Sequence, residues 1–265
     1  MKHRLILFII LGITITNSLK AQFSEPEFVY KVKTSYTSLK ASGLDNFSCW
    51  VTSNIFLEAI KDISEEEIYP LEIIWKNPDL LYYIKRPLPN VGNTEKQKEL
   101  QQSQMDLIQE LQGLLVDWQR FFAGNILDEL PETHLITTKG DSVFIDYELF
   151  DNGKNVKTKM IFGKNGLCKK IITNYIHKNE RIIVYPGYTT VENKWICNYW
   201  RVQIFVNEQI DSGFEISLES RKVENYWIPQ RLLLQLQKRG IDNTMFVRDY
   251  RFRNVVLNKD LKILK

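Results

Sequence analysis

Apolar residues recur along the chain at two periods, and the switches between them divide it into three stretches. Phe28, Val29, Val32, Tyr36 and Leu39 follow one another at spacings of mostly three and four, which predicts a helix ending before Ser42-Gly43. Phe47, Cys49, Val51 and Ile55 then alternate with Ser48, Thr52 and Asn54, the pattern of an extended segment. Ser64-Glu-Glu-Glu predicts a solvated connector. Leu71, Ile73 and Trp75 resume the alternation, Asn77-Pro78-Asp79 breaks it, and Leu80–Ile84 is extended again.

The middle stretch changes period. Thr94-Glu-Lys-Gln has the form of a capping box, in which a hydroxyl meets the first free amides and a Gln three residues on reaches back. Leu100, Leu107, Ile108, Leu111, Leu114, Leu115, Trp118, Phe121 and Phe122 then form one wide helical stripe that stops at Gly124. A single helix over residues 94–124, with its apolar face on the core, is the expectation. After Pro131 the chain becomes strand and turn almost to its end. Lys-Gly-Asp, Asp-Asn-Gly-Lys and Gly-Lys-Asn-Gly separate the first of these strands and carry the residue types of tight hairpins. Short connections require antiparallel neighbours, because parallel pairing needs long crossovers. The predicted fold class is α+β, a strongly curved antiparallel sheet of about ten strands with helices covering the concave face.

Composition leaves that picture intact: 44% apolar and 25% charged is an ordinary globular balance. The charge distribution adds an address. Lys2-His3-Arg4, an eleven-residue apolar run from Leu5 to Ile15 and a small residue at Ala21 have the layout of a secretory leader, predicted to be cleaved near Ala21. The apolar run is too short to span a bilayer, and no later stretch predicts a transmembrane segment. Residues 22–265 are then expected to form one domain in the periplasm. They hold 32 basic and 32 acidic side chains, so the net charge of +3 belongs to the leader, and nucleic acid is not an expected partner. Cys49, Cys168 and Cys197 allow one disulfide at most. Cys168 with Cys197 is the pair to test first, and buried free thiols are the competing expectation.

Candidate chemistry is sparse. Beyond the leader the only histidines are His134 and His177, with no nucleophile elbow, phosphate-binding glycine loop or metal-ligand spacing, so no catalytic residue, metal or cofactor is predicted. Asp146 and Glu148 share a strand face and could form an acid–base pair, but alternating charge there predicts a solvated face. Asn46-Phe-Ser fits a glycosylation acceptor. Aromatic content stands out instead: six Trp and twelve Tyr, with rings on both faces of Trp195-Ile-Cys-Asn-Tyr-Trp200. Such rings either fill a core or line an apolar hollow.

Several segments resemble the periplasmic lipoprotein carriers and lipoprotein-sorting proteins of the LolA/LolB-like family. Tyr36-Thr-Ser-Leu39-Lys, the passage Ile74-Trp-Lys-Asn-Pro78-Asp-Leu-Leu-Tyr-Tyr, Tyr226-Trp-Ile-Pro229-Gln-Arg-Leu, and the closing Tyr250-Arg-Phe-Arg-Asn-Val-Val-Leu-Asn258 carry the resemblance. Asn77 stands where the classical carrier has Arg, and Leu81 where a Phe is usual. The resemblance implies a half-open β-barrel with a hydrophobic cavity for lipid or acylated protein cargo, an envelope receptor for release, and no turnover. Alternation together with the resemblance selects Phe47, Val51, Trp75, Leu81 and Tyr83 as lining residues, joined by Leu107, Leu111, Leu114 and Trp118 on the helix. The alternative is a cell-envelope interaction module of the same fold with a filled core.

Overall fold

The computed structural model describes residues 24–258 apart from 65, 79, 129, 152 and 239–245. The predicted leader, residues 1–21, lies outside the described residues. The chain opens with α1 (Glu25–Ser35), followed by β1 (Asn46–Ser53), α2 (Asn54–Ile60), β2 (Leu71–Lys76) and β3 (Leu80–Lys85). Next, α3 (Thr94–Trp118) runs on through a π-helical turn (Gln119–Ala123) to Gly124. Nine strands complete it: β4 (His134–Lys139), β5 (Ser142–Asp151), β6 (Lys154–Gly163), β7 (Cys168–Tyr175), β8 (Glu180–Val191), β9 (Lys194–Val206), β10 (Gln209–Val223), β11 (Tyr226–Lys238) and β12 (Phe246–Leu257).

All twelve strands form one antiparallel sheet in the order β3-β2-β1-β12-β11-β10-β9-β8-β7-β6-β5-β4. It is therefore α+β and open, with β3 and β4 at its two ends, and it has twelve strands rather than about ten. From β4 to β12 each strand pairs with the next in sequence. β12 then docks against β1 through Val51↔Phe252 and Ser53↔Tyr250, which attaches the N-terminal strands to the meander. Residues of α1, α3, the π-helical turn and ten of the twelve strands share a single buried apolar cluster, and Leu81 and Tyr83 of β3 and Ile136 of β4 pack against it.

Four local expectations need correction. The extended segment from Phe47 ends at Ser53, whose Oγ accepts the Phe56 amide hydrogen at 3.2 Å and starts α2. Phe56 and Ile60, a helical spacing, are thereby buried against Leu100. The long helix begins as expected, but its first free amides are met by Asn93 Oδ1, which accepts from Glu95 and Lys96 at 2.9 and 3.1 Å. Glu67, in the predicted solvated connector, pairs with both Arg251 and Arg253. Last, the rings of Trp195 and Trp200 do not fall on opposite faces. The pairing steps from Tyr188↔Cys197 to Gly187↔Tyr199, so Asn198 is an extra residue in β9. That bulge switches the alternation and turns Trp195, Cys197, Trp200 and Val202 all toward the core.

The cysteines are free and buried. Cys168 belongs to β7 and Cys197 to β9, with β8 between them. Two strand spacings separate them by about 10 Å, beyond the ~7 Å between Cα atoms that a disulfide spans. Burial pushes the Cys168 thiol up to about 12 and raises that of Cys49 as well. A raised thiol pKa favours the folded state fully below the ordinary value of 9.0, and that contribution is lost as pH rises beyond it. Native protein at pH 8 should accordingly resist a thiol reagent, show three reactive thiols once denatured, and lose stability above about pH 9. Rapid labelling of the native protein would contradict the packing around β7–β9.

Candidate functional site

The nine candidate lining residues gather in the same cluster. Phe47, Val51 and Trp75 lie on the core side of β1 and β2; Leu107, Leu111 and Trp118 face them from α3, and all six are buried. Leu81, Tyr83 and Leu114 are half-buried against the same cluster. Burial raises the Tyr83 hydroxyl to about 12. The rings form an arch. Phe47 lies 5.9 Å from Trp75 and 6.0 Å from Trp118, Trp118 stacks on Phe122 at 5.7 Å, and Phe121 meets Trp200 at 5.7 Å. The indole N–H groups of Trp75, Trp118 and Trp200 have no acceptor, although these residues are at most 2% exposed. A buried donor left without an acceptor costs about 1–3 kcal/mol, so three in one apolar interior is uncommon.

The core side of β8–β12 extends this wall into a region that is less covered. Val184, Val202, Phe214, Leu236 and Phe246 form one continuous cross-strand row. Val184 and Val202 are buried, Phe214 and Leu236 are half-buried, and Phe246 is 42% exposed. Ile182 and Ile204, paired one step further out, are half-buried too. Sequence reasoning missed these residues. Their alternation was readable strand by strand, but their union in a single row depends on register across five strands.

One polar clasp crosses from helix to sheet. Glu110 of α3 accepts a hydrogen bond from the Tyr250 hydroxyl at 2.8 Å and one from Arg248 Nε at 3.3 Å. Both partners lie on the core side of β12, with Tyr250 fully buried.

The carboxylate pair is arranged as a solvated face. Asp146 and Glu148 are matched across β5–β6 by Lys159 at 3.2 Å and Lys157 at 3.3 Å. His134 sits 2.8 Å from Glu25 and 2.6 Å from the Pro131 carbonyl. Among the described residues no group of three or more His, Cys, Asp or Glu could hold a metal ion, and no helix is long and apolar enough to cross a membrane. Comparison with protein-family models, with curated proteins and with solved structures gives no match.

Proposed function

We propose that this protein is an exported, periplasmic and non-enzymatic binder or carrier of lipid or acylated protein cargo, built as a half-open barrel whose concave face is covered by helices. The observation that carries this reading is the apolar wall itself. It is continuous from β1–β3 and α3 to the row on β8–β12, and at Phe214, Leu236 and Phe246 it passes from filled core to partly uncovered surface. A twelve-stranded sheet curls rather than staying flat, which makes that side the natural hollow. The leader pattern supplies the address, and the family resemblance points to the same cargo class.

The binding energy would come from apolar burial, about 0.8 kcal/mol per methylene. A chain burying ten methylenes gains about 8 kcal/mol before the cost of immobilising it. Acyl tails would lie on the half-buried row first. Ester or carboxyl oxygens reaching deeper would meet the indole donors of Trp75, Trp118 and Trp200, which lack acceptors.

Native mass spectrometry of freshly purified protein should show retained lipid, and delipidated protein should take up a fluorescent fatty acid. A charge at Phe214→Asp or Leu236→Asp would face the bound tail, with an expected loss of about tenfold or more in affinity. Protein that carries no lipid and takes up no probe, yet captures a stable envelope protein, would replace this reading with the interaction module of filled core.

A further inference from the structure

The opposite face of the sheet bears a constellation that the apolar wall does not use. Glu219, Arg231 and Arg251 form a cross-strand row on β10, β11 and β12, so two guanidinium groups stand directly opposite one another. Like charges in that arrangement repel. Carboxylates from the same region hold them in place: Asp249 accepts from Arg231 at 2.8 and 3.1 Å and lies 3.5 Å from Arg251. Glu67 pairs with Arg251 and lies 3.0 Å from Arg253. Arg221, exposed on β10, has no carboxylate partner among the described residues.

Two bulges in neighbouring strands shape the surface between these side chains. Gln230 is an extra residue in β11, between the pairs Glu219↔Arg231 and Ser220↔Pro229. An extra residue in β12 accompanies the step from Trp50↔Arg253 to Ser48↔Val256, where Asn254 takes a left-handed φ of 51°. Bulges re-aim side chains and bend the strand that carries them. Here they accompany a groove of about 270 Å³ lined by Arg221, Gln230, Arg231, Arg251, Arg253 and Asn254, with Glu219 as its one carboxylate. With Asp249 and Glu67 counted beside Glu219, four guanidinium groups meet three carboxylates, and the surplus positive charge falls on Arg221 in a wall that two amides make rich in donors.

We propose that this groove binds a phosphate-bearing ligand, with Arg231, Arg251 and Arg253 pre-aligned by Asp249 and Glu67, and with Arg221 supplying the charge that the carboxylates do not offset. Guanidinium groups match phosphate oxygens through paired, charge-assisted hydrogen bonds. The volume admits a phosphate with a small organic group attached, so a lipid headgroup and a free phosphoester present the same chemistry.

The full mature chain titrated calorimetrically with pyrophosphate should bind it, and the affinity should fall as salt rises. Arg221→Gln together with Arg253→Gln should weaken binding about tenfold or more and leave the melting temperature and fatty-acid uptake unchanged. Those two readouts keep this site separate from the acyl proposal. Arg231 is left intact, because its loss would strip Asp249 of its closest partner. Sedimentation with phosphatidylcholine vesicles, with and without phosphatidic acid, identifies the source. Binding only to the acidic vesicles assigns a headgroup, and binding of pyrophosphate alone assigns a free phosphate. Equal affinity in the double variant, or no binding of either ligand, overturns the proposal.

Discussion

Trp118→Ala is expected to destabilise the protein by about 3–5 kcal/mol, the range for deleting a large aromatic from a packed core. Trp118 sits where α3 passes into the π-helical turn, stacked on Phe122 and edge-on to Phe47, and is 2% exposed. Its removal takes away contacts to a helix and a strand together, and flanking side chains held by the strand ladder collapse only in part. Folded domains have about 5–15 kcal/mol in total, so this one substitution consumes a large share. In a domain of this size a melting temperature falls roughly 2–4 °C per kcal/mol, which predicts a drop of about 6–20 °C. Trp118→Phe separates packing from the indole donor. It keeps a ring and removes an N–H that has no acceptor, so it should cost much less than alanine. A small loss for alanine would mean that the arch of rings is loosely packed, and the description of the core would have to change.

Much of this architecture was legible because local signals agreed with the global fold. The helix from Thr94 to Gly124 announced itself through stripe, start and stop together, and the structure continues it as α3 and the π-helical turn over those residues. The meander from β4 to β12 was readable from its turns, since Gly and Asn at positions such as Gly140 and Gly153 adopt the positive φ that tight connections need. Features that depend on register stayed hidden. Asn198 looks like any strand residue, yet as a bulge it reverses which residues face inward and gathers rings that plain alternation had split between two faces. α2 was hidden because Val51 and Ile55 extend a strand-like pattern past the Ser53 cap. The arginine groove is dispersed in sequence, and pairing of β10, β11 and β12 alone brings Arg221, Arg231, Arg251 and Arg253 together. Glu67 lies in a run of acids that composition assigns to solvent, although its partners are on β12.

Glu110→Ala should loosen α3 from the sheet and, if tails enter beneath the helix, strengthen rather than weaken uptake of a fatty acid. The carboxylate accepts from Tyr250 and Arg248 across the helix–sheet boundary. Its removal leaves a fully buried hydroxyl and a partly buried guanidinium without that partner, at an expected cost of about 1–3 kcal/mol. Part of that cost comes from the stranded Tyr250 hydroxyl, so Tyr250→Phe in the same background should recover some of it. A double-mutant cycle between the two positions should therefore give a coupling of about 0.5–3 kcal/mol, as for groups in direct contact. Apparent affinity scales with the fraction of molecules already open, so a helix less firmly clasped binds acyl chains at lower concentration. Amide hydrogen exchange should quicken along α3 while the β5–β10 ladder keeps its protection. A variant that loses stability with no coupling to Tyr250 would show that the clasp contributes little. Lost stability with coupling but weaker uptake would place the tails on the outer row alone, with α3 as fixed packing.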